Sequence, residues 1–176
     1  MRLLGAVLAG GIGRRFGGDK ALAEIDGQSL IARVIEALAA QTVAVVVCGR
    51  DMPGCRSIPD RPAAGLGPLA GIAAALHHGR AHGFDAVLTS PCDAPFLPRE
   101  LAGVLGGEGA AFLAGLPLIG LWSCALAESV DAELADPASR RSVRGWAARI
   151  SAREVTGVPI ANVNTREDLA RLSFST

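Results

Sequence analysis

The chain has 176 residues, half of them hydrophobic, and a formal net charge of zero. That length suits one compact domain, residues 1–176, with a sizeable core, and the balanced charge argues against a nucleic-acid footprint or an acidic tail. No apolar run is long enough to span a bilayer and the N-terminus lacks a signal-peptide pattern, so a cytoplasmic protein without membrane or nucleic-acid partners is expected.

The elements alternate along the chain. Leu3–Leu8 reads as a buried strand and runs into a glycine-rich loop. Ser29–Ala40 carries Leu30, Ile31, Val34, Ile35 and Leu38 on one helical stripe, with Ser29 as its cap. Val43–Cys48 is short and β-branched, a second buried strand. A loop rich in Gly, Pro and Arg follows over Gly49–Gly67, and Pro68 opens a helix that runs through His78 and stops near Gly79. Ala86–Thr89 is the next strand, and Pro98 starts a helix to about Leu105. Ala111–Leu113 and Leu118–Trp122 read as strands, with Pro117 at an edge or bend. Cys124–Leu134 and Ser142–Ile150 read as helices, Arg153–Val155 as a short strand, and Thr165–Leu172 as a final helix with a Thr165–Asp168 capping box. Strands alternating with helices imply a three-layer α/β/α Rossmann-like sandwich on a mostly parallel, mixed sheet.

The positive charges are sixteen Arg and a single Lys, Lys20. That lysine closes the stretch Leu8-Ala9-Gly10-Gly11-Ile12-Gly13-Arg14-Arg15-Phe16-Gly17-Gly18-Asp19-Lys20. The stretch is neither a Walker A loop, lacking Ser or Thr after the Lys, nor a dinucleotide fingerprint, its third glycine being out of register. Its physics is still that of a phosphate loop. Glycines let backbone N–H groups approach an anion, and Arg15 and Lys20 add positive charge. Asp93 sits in Pro91-Cys92-Asp93-Ala94-Pro95, just past a buried strand. It suits a hard cation such as Mg²⁺ whose other ligands are phosphates, or alternatively it is a turn Asp bonding its own backbone. In parallel sheets ligands bind beyond the carboxyl ends of the strands, where these segments converge. Cys48, Cys55, Cys92 and Cys124 lack CxxC spacing and read as reduced, mostly buried thiols. His77, His78 and His82 have no carboxylate or Cys to complete a metal set.

Several segments in order resemble the molybdenum cofactor guanylyltransferases, nucleotidyltransferases with a nucleotide-diphospho-sugar transferase fold. They are Leu8-Ala9-Gly10-Gly11 with Arg15 and Gly17-Gly18-Asp19-Lys20-Ala21-Leu22; Asp60 ahead of Gly67-Pro68-Leu69-Ala70-Gly71; Cys92-Asp93-Ala94-Pro95-Phe96-Leu97-Pro98; Leu116-Pro117-Leu118-Ile119-Gly120-Leu121-Trp122; and Asn162-Val163-Asn164-Thr165-Arg166-Glu167-Asp168-Leu169. The resemblance implies transfer of GMP from GTP to the terminal phosphate of molybdenum-bound molybdopterin, with Mg²⁺ as cofactor and transient contact with cofactor delivery or acceptor proteins. It implies that Leu8, Ala9, Gly10, Gly11 and Asp60 meet the nucleotide, and that Arg15 and Lys20 face the triphosphate. Asp93 would hold the metal, while Gly67, Gly71, Asn162 and Asn164 line the acceptor side, Asn164 also a candidate metal ligand. The chain departs from the pattern at Cys48, where Asn is common, at Phe16 (commonly Met), at Leu116 (His) and at Arg166 (Pro). Two other readings are a related CTP-dependent nucleotidyltransferase and a non-catalytic nucleotide-binding delivery protein. Gly10-Gly11 and the Asn162–Thr165 segment argue against the first; Arg15, Lys20 and Asp93 together argue against the second.

Overall fold

The computed structural model describes residues 1–11 and 16–173. Nine strands and six helices are described: β1 Leu3–Leu8, β2 Glu24–Ile25, β3 Gln28–Ser29, α1 Leu30–Ala39, β4 Ala44–Cys48, β5 Arg56–Ile58, α2 Pro68–Ala81, β6 Ala86–Pro91, α3 Leu101–Leu105, β7 Ala111–Leu113, β8 Leu116–Ser123, α4 Ala127–Ala135, α5 Val143–Arg149, β9 Arg153–Val155 and α6 Arg166–Ser173. Seven strands form one sheet in the order β5-β4-β1-β6-β8-β7-β9. β8 runs antiparallel to β6 and β7, and the other pairings in this sheet are parallel. β2 and β3 pair as a separate small hairpin.

Both faces of the sheet are covered, which gives the three expected layers. On one face Leu4, Ala6, Leu8, Val46 and Cys48 pack against Leu69, Ile72 and Leu76 of α2, with α4 and α5 alongside. On the other, Val7 and Val47 meet Ile31, Val34 and Leu38 of α1 and Leu101 and Leu105 of α3. Each fully buried Leu or Ile contributes about 1.5–3 kcal/mol relative to exposure. α2 is buried from Leu69 to Leu76 without interruption, so it shows no polar stripe. It is the central helix, wedged between the sheet and α4. A third cluster of Phe16, Ile25, Leu30 and Val163, with Leu169 and Leu172 against it, docks α6 over the β2–β3 hairpin. Among the described residues no helix is long and apolar enough to cross a membrane.

The structure adjusts several boundaries. β6 runs on to Pro91, two residues past the expected end, and it can do so because its pairing with β8 has already stopped at Thr89↔Gly120. A proline there forfeits no ladder bond on that side. β8 includes Pro117, which falls where the register with β7 shifts between Phe112 and Leu113. β5 lies inside the expected loop Gly49–Gly67, and α2 continues past Gly79 to Ala81. The segment expected to be helical from Cys124 opens with a 3₁₀ turn over Cys124–Leu126 before α4, and the one from Pro98 becomes helical only at Leu101.

Candidate functional site at the carboxyl end of β1

The chain leaves β1 toward β4 on one side and leaves β6 toward β8 and β7 on the other, so the strand connections diverge between β1 and β6. Such a divergence opens a crevice beyond the strands' carboxyl ends. A cavity of about 270 Å³ lies there, lined by Leu8, Ala9, Gly10, Gly11, Lys20, Ala21, Cys48, Asp60, Gly65, Gly67, Pro68, Gly71, Pro91, Cys92, Asp93 and Leu118. The sequence pattern thus brings together the glycine loop, Asp60, the Gly67–Gly71 turn and Asp93. Arg15 lies outside the described residues. Asn162 and Asn164 do not line the cavity, but Val163 between them donates its N–H to the Asp93 carbonyl at 2.9 Å, which sets the asparagines beside that turn.

Lys20 and Asp93 meet directly. The ammonium donates to Asp93 Oδ2, and both side chains are largely shielded from solvent. The other carboxylate oxygen, Oδ1, is buried and has no hydrogen-bond partner among the described residues. A carboxylate oxygen without a donor, beside a crevice that phosphates would fill, fits a hard cation, so Asp93 suits Mg²⁺. Asn162 Oδ1 is a second buried acceptor without a partner among the described residues.

Asp60 sits in a cradle of glycines. A Cβ on Gly10 would stand 2.7 Å from Asp60 Oδ2, and one on Gly49 would stand 2.8 Å from both carboxylate oxygens. A Cβ on Gly71 would stand 3.4 Å from Oδ1. Gly49 also has φ of +75°, a conformation that favours glycine on its own account. Burial pushes the Asp60 carboxyl above its ordinary pKa. Gly11 is different: it lines the cavity, and a Cβ there would meet nothing within 4 Å among the described residues. Cys48 is fully buried at the end of β4 and offers the cavity an apolar wall where an amide is common in the resembled pattern. Burial raises its thiol pKa, with the Asp60 charge adding to the effect. Cys92 is likewise pushed up to about 11, by burial and then by Asp93. All four cysteines are free thiols.

Gly67 caps α2 at φ +81°, and Pro68 is its first residue. The N-terminus of this fourteen-residue helix borders the cavity, where its partial positive charge favours anions. Asn164 and Thr165 donate their backbone N–H groups to Asp168 Oδ2 at 3.0 and 2.9 Å, and Asp168 N–H returns to Thr165 Oγ1 at 3.1 Å. This is the expected capping box, and the two backbone donors hold the Asp168 carboxyl below its ordinary pKa.

The pairing of Arg50 with Asp19 escaped the sequence. Arg50, at the turn after β4, forks onto both oxygens of Asp19, with Nη1 2.8 Å from Oδ1. It holds the Asp19 carboxyl below its ordinary value. Consecutive loop residues Asp19 and Lys20 are therefore tied to opposite charges on the strand ends flanking β1. The usable signal was an acid-base dipeptide in a loop facing a strand-end Arg.

A family model described as a MobA-like NTP transferase domain matches residues 5–149. A molybdenum cofactor guanylyltransferase of Rhodobacter capsulatus is 39% identical over 181 residues, covering 97% of this chain and 95% of the relative. One from Cereibacter sphaeroides is 40% identical over 189 residues, again covering 97% and 95%. Among solved structures, molybdopterin-guanine dinucleotide biosynthesis protein A of Archaeoglobus fulgidus superposes with a TM-score of 0.79 at 24% identity, over 97% of this chain and 96% of that one, which speaks to the fold. By the family match over most of its length and by relatives about 40% identical along nearly the whole chain, the protein belongs to the MobA-like NTP transferase family and is a nucleotidyltransferase, closely related to the molybdenum cofactor guanylyltransferases.

Proposed function

We propose that the protein is a single-domain enzyme that transfers GMP from GTP to the terminal phosphate of molybdenum-bound molybdopterin, giving the guanine dinucleotide cofactor and pyrophosphate. The observation that carries this reading is the convergence of Lys20, Asp93 and the glycine-cradled Asp60 on one cavity at the end of β1. In the reaction a phosphate oxygen of the pterin attacks the α-phosphorus of GTP, and the bond from that phosphorus to the bridging oxygen breaks. The attacking oxygen is already anionic at neutral pH, so no strong general base is required. The protein's work is positioning and charge neutralisation.

The backbone of Leu8–Gly11 lines the nucleotide. Lys20, with Arg15, takes the negative charge that builds on departing pyrophosphate. Mg²⁺ would be held by Asp93, with Asn164 as a candidate second ligand, and when bound it supplies charge neutralisation across the phosphate oxygens. Gly67 and Gly71 let the acceptor approach α2 closely, and Asn162 and Asn164 face it from the Asp93 side. Asp60 favours guanine over cytosine. A carboxylate accepts hydrogen bonds only, and guanine offers N1–H and its amino group side by side, whereas cytosine sets two acceptors beside its amine. Four free thiols suit the reducing cytoplasm, where transient hand-over to delivery or acceptor proteins would complete the task.

The deciding experiment gives the purified protein Mg²⁺, molybdenum-bound molybdopterin and either GTP or CTP, and follows pyrophosphate and dinucleotide product. Turnover with GTP well above CTP is expected. Preference for CTP, or no pyrophosphate release with either, would sink the reading.

A further inference from the structure

Two of the positions at which the chain departs from the resembled pattern, Phe16 and Arg166, touch each other across 150 residues of sequence. Arg166 Nε donates to the Phe16 carbonyl at 3.4 Å, and its guanidinium carbon lies 5.8 Å from the centre of the Phe16 ring. A Cβ placed on Gly18 would stand 3.8 Å from Arg166 Nη2. The Phe16 ring is itself fixed, being buried with Ile25, Leu30 and Val163. Arg166 opens α6, and the Thr165–Asp168 box fixes that helix end. Three residues earlier, Val163 is bonded to the Asp93 carbonyl. A stretch of four residues, 163–166, therefore spans from the Asp93 turn to the loop that carries Lys20. Arg50 holds the same loop at its other end through Asp19.

We propose that Arg166 is a positioning residue for nucleotidyl transfer: from the C-terminal segment it latches the glycine loop so that nucleotide meets Lys20 already in place. This rests on the nucleotide-binding reading of the same cavity. Arginine suits the task where lysine would not, because a planar guanidinium can lie over a ring while its Nε–H donates to a carbonyl. The segment that Arg166 touches carries Gly17 and Gly18 between Phe16 and Lys20, and glycine loses more freedom on ordering than any other residue. Without the latch that cost falls on nucleotide binding, as a reduced fraction of competent protein. A partly exposed cation–π contact and one hydrogen bond together correspond to a weakening of about 3- to 10-fold.

The test measures the Kd of Mg–GTP by calorimetry, together with KM and kcat for pyrophosphate release, on wild type, Arg166→Ala, Arg166→Lys, Phe16→Leu, the Phe16→Leu/Arg166→Ala double variant and Glu167→Ala. Arg166→Ala should raise Kd and KM about 3- to 10-fold while kcat at saturation stays within about twofold. Arg166→Lys should recover only part of the loss, and the double variant should be no worse than the poorer single one. Glu167→Ala removes an exposed charge from the same helical turn and leaves both the capping box and the latch in place, so Kd should stay within about twofold. An unchanged Kd in Arg166→Ala, full additivity with Phe16→Leu, or an equal loss in Glu167→Ala would each overturn the proposal. Should the wild type bind Mg–CTP in preference, the guanine reading falls and the same comparison is made on CTP.

Discussion

Lys20 faces two kinds of partner, the carboxylate of Asp93 that it touches and the phosphate that would arrive between them. Lysine can change partner at low cost, since its ammonium is a compact charge on a flexible stem. Lys20→Ala should lower kcat by about 100- to 1000-fold, the usual penalty for losing one transition-state charge donor, with far-UV circular dichroism unchanged. Full activity in a folded Lys20→Ala protein would remove Lys20 from the chemistry. Asp60 carries a different tension. Burial raises its pKa, so the folded chain holds that proton more tightly than the unfolded chain does. Ionised Asp60 therefore subtracts from stability. The penalty is absent at acid pH and fully developed once pH exceeds the raised folded value. Asp60→Asn should melt above wild type at neutral pH, and the gap should close on acidification. The same variant should bind GTP about 10- to 100-fold more weakly, because the amide turns a donor toward guanine's donors. A gap in Tm that does not change with pH would contradict this account of the half-buried carboxylate. Asp19 runs the other way: Arg50 lowers its pKa, so its contribution is present at neutral pH and lost as pH falls through the lowered value.

At the scale of the element, the turn after β4 is where backbone and site constrain each other. Gly49 and Gly54 have nearly equal positive φ, +75° and +76°, but only Gly49 has Asp60 within reach of an added Cβ. Gly54→Ala should cost the backbone strain alone, about 1 kcal/mol. Gly49→Ala adds the clash with both carboxylate oxygens and should lose markedly more in Tm and in nucleotide affinity, as thermal melts and calorimetry on the two variants would show. Equal effects would mean that the cradle does not constrain Asp60. The elements themselves were legible where a run or a period is long enough to read. Val43–Cys48 announces itself by a β-branched run, although exposed Val43 falls just outside β4, and α1 announces itself by the stripe it buries on one face. β5, β2 and β3 were not, because Arg56-Ser57-Ile58, Glu24-Ile25 and Gln28-Ser29 are too short to show a period. Pro91 reads as lying beyond the strand Ala86–Thr89 and Pro117 as an edge or bend, because sequence does not reveal where a neighbouring strand stops pairing. The cavity's charged residues were legible as local motifs, whereas the pairings of Arg50 with Asp19 and of Arg166 with Phe16 join segments 31 and 150 residues apart, and neither segment alone names its partner.

At the scale of the whole molecule, the sheet and the site are finished at different points along the chain. The last strand to join the sheet, β9, ends at Val155; the helices α1–α5 precede it, and Val158 and Ile160 just after it pack on the α1 and α3 face. The cavity's remaining fittings come afterwards: Val163 on the Asp93 carbonyl, Leu169 and Leu172 against Phe16, and Arg166 on the loop. The two are thus separable by truncation. A chain ended after Ile160 would retain every strand of the sheet and the helices α1–α5, with Asp19 and Lys20 still paired to Arg50 and Asp93, and would lose what the residues from Val163 onward add at the rim of the cavity.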